Sequence, residues 1–139
     1  MTLAPLMQAS LPIRIHVFTI ITAFLIGVWM LWGSRKGSTA HRLTGGLYLT
    51  LMLVSVVSAV FIDAVVLPWV QVSGLTLGPI HLLVLYTLLG IGQAVQALQR
   101  GDYARHGAAM RGVFFGGLLI AGVFTLLPGR IMYRMLFGD

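Results

Sequence analysis

Four apolar runs dominate the chain, near residues 13–33, 41–62, 77–98 and 107–127, and polar residues concentrate in the stretches between them. An α-helix needs roughly 20 residues to cross about 30 Å of hydrocarbon, so each run predicts a membrane span. Gly33 to Ala40 and Arg100 to Arg105 are short polar turns, which fold spans 1–2 and 3–4 into helical hairpins. Pro12 and Gly78-Pro79 sit where a helix start tolerates proline, and Pro128-Gly129 ends the last span. The connection from Asp63 to Thr76 is longer and carries Pro68, Gly74 and Trp69, the last suited to the membrane interface. The tail over 129–139, with Arg130 and Arg134 among apolar residues, predicts a short amphipathic helix along the membrane surface. The first run is too long for a signal-peptide core and no small-residue cleavage site follows it, so it reads as a retained helix.

The pattern predicts one membrane domain over residues 1–139. Its fold class is all-α, a transmembrane up-down-up-down four-helix bundle with short turns. Composition agrees: 58% of residues are hydrophobic and 9% charged, far below the roughly 25% that coats a soluble domain. A net charge of +6 would suggest nucleic acid in a soluble protein, but here the basic residues mostly flank the spans. Arg35, Lys36, Arg42, Arg100, Arg105 and Arg111 lie at the two hairpin turns, against Arg14, Arg130 and Arg134 on the other side. The positive-inside tendency then puts both turns in the cytoplasm and both termini on the outer, periplasmic side of an inner membrane. There are no cysteines, which excludes disulfides, thiolate metal sites and covalent haem attachment through C-x-x-C-H.

The spans also repeat. Residues 15–54 and 80–119 align without a gap and share Ile15/Ile80, His16/His81, Thr22/Thr87, Gly27/Gly92, Arg35/Arg100 and His41/His106. The bundle is thus two tandem two-helix repeats, about 13–62 and about 77–127, running in the same direction through the membrane. All four histidines fall inside this frame. His16 and His81 begin the two upward spans, His41 and His106 the two downward ones. The pairs therefore lie at opposite ends of the bundle, roughly 20 Å apart at 1.5 Å per residue, and one ion cannot touch all four.

Each level offers two imidazoles on diagonal helices. A bare zinc or copper ion needs more ligands than that, whereas b-type haem takes two histidines from opposite sides. The expected cofactor is therefore haem b, two per chain, with His16/His81 and His41/His106 as the iron ligands. Gly27 and Gly92 lie three turns after His16 and His81, where a small residue makes room for a macrocycle or simply for close helix packing. Arg14, Arg42, Arg105, Arg111 and Arg130 are the candidate partners for haem propionates, against the alternative of snorkelling to lipid phosphates. Gln93, Gln96 and Gln99 are candidates for a small-molecule pocket or for interhelical hydrogen bonds. Thr22 and Thr87 are candidates for bonding back to their own helices. Met110, one turn after His106, is an alternative ligand.

The segments Ile15-His16, Ala40-His41-Arg42-Leu43-Thr44-Gly45, Pro79-Ile80-His81, Arg105-His106-Gly107-Ala108-Ala109-Met110-Arg111 and Phe124-Thr125-Leu126-Leu127-Pro128-Gly129-Arg130 resemble a bacterial family. Its members are small predicted integral-membrane proteins described as a domain of unknown function. The likeness covers nearly the whole chain and implies no activity. At the level of pattern, the alternating histidines are also similar to the di-haem transmembrane cytochromes b, which move electrons from ascorbate or quinol across a membrane. That likeness implies the same diagonal pairing, although the 25-residue spacings here are shorter.

The expected function is transmembrane electron relay through two bis-histidine haems. The oxidoreductase would sit in the lipid bilayer with a quinol as a candidate redox partner. Two rivals belong to other classes: a membrane protein that binds haem or copper for delivery and assembly, and a small proton-coupled transporter whose histidines titrate. The first would bind metal reversibly, and the second would purify colourless. With three acidic residues and no phosphate-binding loop or nucleophile elbow, hydrolytic and phosphoryl-transfer chemistry is set aside.

Overall fold

The computed structural model describes residues 3–62, 70–72 and 75–138. Asp63, Pro68, Trp69, Gly74 and Asp139, to which the sequence pattern gave topological or interfacial roles, lie outside the described residues. The elements in chain order are α1 (Ala4–Met7), α2 (Leu11–Gly33), α3 (Thr39–Val60), β1 (Val70–Val72), β2 (Leu75–Leu77), α4 (Ile80–Gln99), α5 (Tyr103–Thr125) and α6 (Ile131–Phe137). The helices α2, α3, α4 and α5 are each long and apolar enough to cross a membrane. The spans begin and end within a few residues of the sequence-based limits.

Local chemistry accounts for the boundaries. Pro12 occupies the first turn of α2, where its missing N–H costs nothing. Ser38 Oγ accepts from the His41 N–H at 3.1 Å and Asp102 Oδ1 from the Arg105 N–H at 2.9 Å, so both hairpin turns hand directly into side-chain-capped helices. Gly101, at φ +72°, closes α4: the following Asp102 N–H reaches back to the Ala97 carbonyl at 2.9 Å, which satisfies a helix-end acceptor. At the end of α2, Lys36 Nζ donates to the carbonyls of Met30 and Leu31, a cation against the negative pole of the helix.

The four spans form a ring. α2 packs along α3, α3 meets α4, α4 packs along α5, and α5 closes on α2 through a shorter contact. Helices 1 and 3 of the bundle are therefore diagonal, as are 2 and 4, the arrangement expected from sequence. Ala23, Tyr48, Met52, Ile91, Val113, Phe114 and Leu118 form the buried centre. Large apolar side chains such as Phe18, Leu25, Leu43, Leu89 and Val123 remain exposed around the outside, the pattern of a helix bundle whose solvent is lipid.

Three features differ from the sequence-based picture. Trp29–Gly33 and Val113–Ile120 widen into π-helical turns, so α2 and α5 are not uniform α-helices. In α5 the widened stretch holds Gly116 and Gly117, where a Cβ would fall 2.4 Å from Tyr86 Cε1 and 2.3 Å from Thr87 Oγ1. Glycine is what lets α5 approach α4 here. The described residues between α3 and α4 include a two-stranded antiparallel sheet, with Val70 opposite Leu77, Gln71 opposite Thr76 and Val72 opposite Leu75. Finally, α6 packs against α1, so the tail is a helix as expected but is seated on another part of the chain.

Candidate functional site

Each histidine is placed by the start of its helix. His16 and His81 stand at the end of the bundle that carries both termini, and His41 and His106 at the end formed by the two hairpin turns. The hydrogen bonds measure the separation. His16 Nδ1 lies 2.8 Å from the Ser55 carbonyl, which is about 21 Å along α3 from His41 at the helical rise. His106 Nδ1 lies 2.9 Å from the Ala94 carbonyl, about 20 Å along α4 from His81. Two levels about two-thirds of a hydrocarbon thickness apart are thus built into the bundle.

The partners fix the ring tautomers. A carbonyl oxygen only accepts, so His16 and His106 carry hydrogen on Nδ1 and leave Nε2 with a lone pair. His16 is supported further by Ser58 Oγ at 3.3 Å, itself bonded to the Ser55 carbonyl at 2.8 Å. Thr19 Oγ1 joins this cluster through Ser55 Oγ at 3.2 Å. His41 Nδ1 is 2.8 Å from Ser34 Oγ, whose hydrogen goes to the Met30 carbonyl at 2.9 Å; the imidazole is again the donor and its Nε2 is free. His41 and His106 lie within electrostatic reach of one another.

His81 differs. The Gly78 N–H, which only donates, points at its Nδ1 at 3.2 Å. A neutral His81 ring therefore bears its hydrogen on Nε2, and that atom is buried with no hydrogen-bond partner.

A cavity of about 680 Å³ opens at the terminal end and is lined by both His16 and His81. Its volume falls in the range of cofactor and small-molecule sites. Its wall is largely apolar, with Ser55, Thr87, Arg130 and Arg134 among the polar contributors. Arg130 Nε is buried without a partner, and burial lowers this guanidinium below its usual value because the charged form is desolvated. Neither His41 nor His106 lines this cavity.

The remaining sequence candidates sort unevenly. Arg130 is at the cavity, whereas Arg14 is exposed and not among its lining residues. Arg42, Arg105 and Arg111 are exposed near the hairpin end. Gly27 and Gly92 are not equivalent. A Cβ on Gly27 would lie 2.7 Å from Phe114 Cδ2 and 3.0 Å from Tyr48 Cε2, so aromatic rings occupy the space this glycine clears. Gly92 is exposed with nothing within 4 Å. The expectation that Gly92, like Gly27, makes room for a macrocycle or for close helix packing is corrected accordingly: α4 is rotated so that Ile91 and Ala94 face inward and Gly92 faces out. Gln93, Gln96 and Gln99 are likewise exposed, because they share that outer side of α4. Thr22 and Thr87 bond back to the carbonyls of Phe18 and Leu83 at 2.9 and 2.7 Å, and only Thr87 lines the cavity. Met110 packs against the buried centre.

Sequence reasoning missed Ser34, Ser55 and Ser58. The serines carry no motif, since two of the anchors are backbone carbonyls that any residue supplies. Arg134, which the sequence places with Arg130 on the outer side, also lines the cavity.

A family model described as Predicted membrane protein (DUF2306) matches residues 13–136, which takes in all four spans and all four histidines. No curated protein and no solved structure matches the chain.

Proposed function

This chain belongs to the DUF2306 family of predicted membrane proteins, and we propose that it is a membrane-embedded b-type cytochrome that holds haem between histidine pairs and relays electrons between the two faces of the bilayer. One observation carries the reading. Three of the four imidazoles donate Nδ1–H to an oxygen fixed by the fold and keep Nε2 available. Histidines that ligate metals are held in this way, because the outer bond sets both tautomer and ring direction.

The donor chemistry supports haem over a bare ion. Among the described residues there is no group of three or more His, Cys, Asp or Glu side chains that could hold a metal, so each level has two imidazoles and little else. Haem supplies one-electron chemistry and brings four of its own nitrogens to iron, leaving two positions for the protein. The chain's part is to orient the rings, surround the site with apolar side chains that exclude water, and offer cations to carboxylates. Arg130 and Arg134 suit the last task at the terminal end.

The two ends fit haem unequally. His41 and His106 both have the required tautomer. At the terminal end His16 has it and His81 does not, because Gly78 N–H occupies the side on which Nδ1 would carry hydrogen. The two-haem form of the proposal requires the His81 ring to turn over. The lysine and arginine distribution favours hairpin turns in the cytoplasm and termini outside, in an inner membrane.

The test is optical. The protein purified in detergent after haem-replete expression, scanned oxidised and dithionite-reduced, is expected to show low-spin b-type bands lost in His41→Ala and His106→Ala. A colourless protein, or bands unchanged in both variants, overturns the proposal.

A further inference from the structure

We propose that the cavity at the terminal end binds a lipid-soluble quinone or its quinol, with His81 and Arg130 hydrogen-bonding its oxygens as donors and His16 accepting from a hydroxyl. This goes beyond the haem reading and stands without it.

The polar groups on the cavity wall are complementary in kind. His81 Nε2–H and Arg130 Nε–H are donors with no acceptor, both buried. A buried donor left without an acceptor is costly, so these two residues carry an unmet demand for acceptor oxygens. Both residues line the cavity while these two nitrogens are covered, so the proposal has each side chain turn to present its nitrogen to the ligand. His16, with Nδ1 tied to the Ser55 carbonyl, offers the opposite function: its Nε2 only accepts in the neutral ring. A ligand that meets both demands carries oxygens able to accept and, in its reduced form, hydroxyls able to donate. A quinone and its quinol match that description. A fatty acid answers the donors but brings an ionised head that gives His16 nothing.

The rest of the cavity suits an aromatic ring with an apolar tail. Most of its wall is apolar, and Ile21 and Phe124 line it while remaining exposed on the outside of the bundle. The contact between α2 and α5 is the short one in the ring, made by Phe114 with Gly27, Phe24 and Trp32. Beyond it, toward the terminal end, Ile21 and Phe24 of α2 and Ala121 and Gly122 of α5 all line the cavity. This seam is a side entrance from lipid, the route a membrane-dissolved molecule would use.

The experiment is equilibrium binding of decylubiquinone to the full-length protein in detergent, with oleate and decylbenzene as controls. One saturable equivalent per chain is expected. Affinity is expected to fall about tenfold in His81→Phe and in Arg130→Met, the loss of one hydrogen bond each. Decylbenzene, without oxygens, is expected to bind at least a hundredfold more weakly. Gly122→Leu covers the case of a misfolded histidine variant: a Cβ there meets nothing within 4 Å, so the chain should fold while the seam narrows and quinone uptake slows. Non-saturable partitioning that is equal in all variants overturns the proposal, as does oleate competing on equal terms. A second haem per chain, lost in His81→Ala, also overturns it by assigning the cavity to haem. Colourless protein that still binds one quinone refutes the haem reading and leaves this one standing.

Discussion

Gly27 and Gly92 occupy equivalent positions in the two repeats, yet the same substitution should have opposite consequences at them. An alanine Cβ at Gly27 would sit 2.7 and 2.8 Å from two carbons of the Phe114 ring and 3.0 Å from Tyr48, against a comfortable carbon–carbon separation of about 3.5–4.0 Å. Phe114 must therefore retreat by roughly 1 Å. It has nowhere to go: it is 3% exposed, stacks on Phe24 at 5.7 Å, and meets Trp32 and Phe115 edge-on at 6.0 and 5.2 Å. Overpacking a closed core costs about 1–3 kcal/mol, or a fall in melting temperature of roughly 4–12 °C for a chain of this size. At Gly92 the new Cβ meets nothing within 4 Å. There the substitution should be neutral or stabilising by up to about 1 kcal/mol, from helix propensity alone. Thermal unfolding of Gly27→Ala and Gly92→Ala in one detergent, followed by circular dichroism, makes the comparison. If Gly27→Ala is as stable as the parent, or Gly92→Ala loses as much, the aromatic packing between α2, α3 and α5 is not as described.

Three further outcomes are expected. Tyr48 is 2% exposed and its hydroxyl is buried without a partner, so Tyr48→Phe should hold or raise the melting temperature, since it removes an unsatisfied group and keeps the ring; a clear loss would reveal a partner for the hydroxyl. Asp102→Ala removes the α5 cap and should cost about 0.5–2 kcal/mol, typically about 1, while Asp102→Asn should recover most of it, again read by thermal unfolding. Under the haem proposal, Ser34→Ala frees the His41 ring and should weaken haem retention about 10–100-fold in competitive transfer to apomyoglobin; retention equal to that of the parent would separate His41 from ligation.

The spans, their order and the diagonal pairing of helices were legible because they depend on hydrophobic run length and on turn residues, which are local. So was the division of the histidines into two levels, since it follows from counting residues along helices of known rise. What was not legible depends on helix rotation. Gly92 and Gln93 turn outward because α4 buries Ile91 and Ala94 instead, and strands of evenly apolar residues carry no stripe from which such a rotation can be read. The π-helical turns of α2 and α5 shift register by further fractions of a turn, and the glycines that accompany them in α5 are ordinary in membrane helices. Arg14 and Arg130 were indistinguishable candidates for the same reason: both flank a span, and only the tertiary fold brings Arg130 to the cavity.

The repeat itself explains why its two ends differ. Histidine positions are shared between the halves, but the residues that anchor the rings are not. Shifted by the repeat offset, Ser55 and Ser58, which surround His16, correspond to Ile120 and Val123. Ser34, which receives His41, corresponds to Gln99, which is exposed. His81 therefore inherits the place of a ligand without the Ser58 hydroxyl that supports His16 beside the Ser55 carbonyl, and turns its Nδ1 to the backbone N–H of Gly78 instead. In the other direction, Tyr48 and Leu49 correspond to Val113 and Phe114, so the bulk that fills the space at Gly27 comes from opposite halves of the chain. Two imidazoles in register are a statement about sequence; whether both can bind the same thing is decided by atoms that the repeat does not copy. A substitution at the position of Ser58 tests that argument. Val123 is exposed on the outside of the bundle, so Val123→Ser copies the repeat without copying the anchor and should leave the His81 hydrogen on Nε2, which nitrogen-15 imidazole shifts would register. A hydrogen moved to Nδ1 would mean that the added hydroxyl reaches the ring, and that the backbone bond from Gly78 does not set the asymmetry between the two ends.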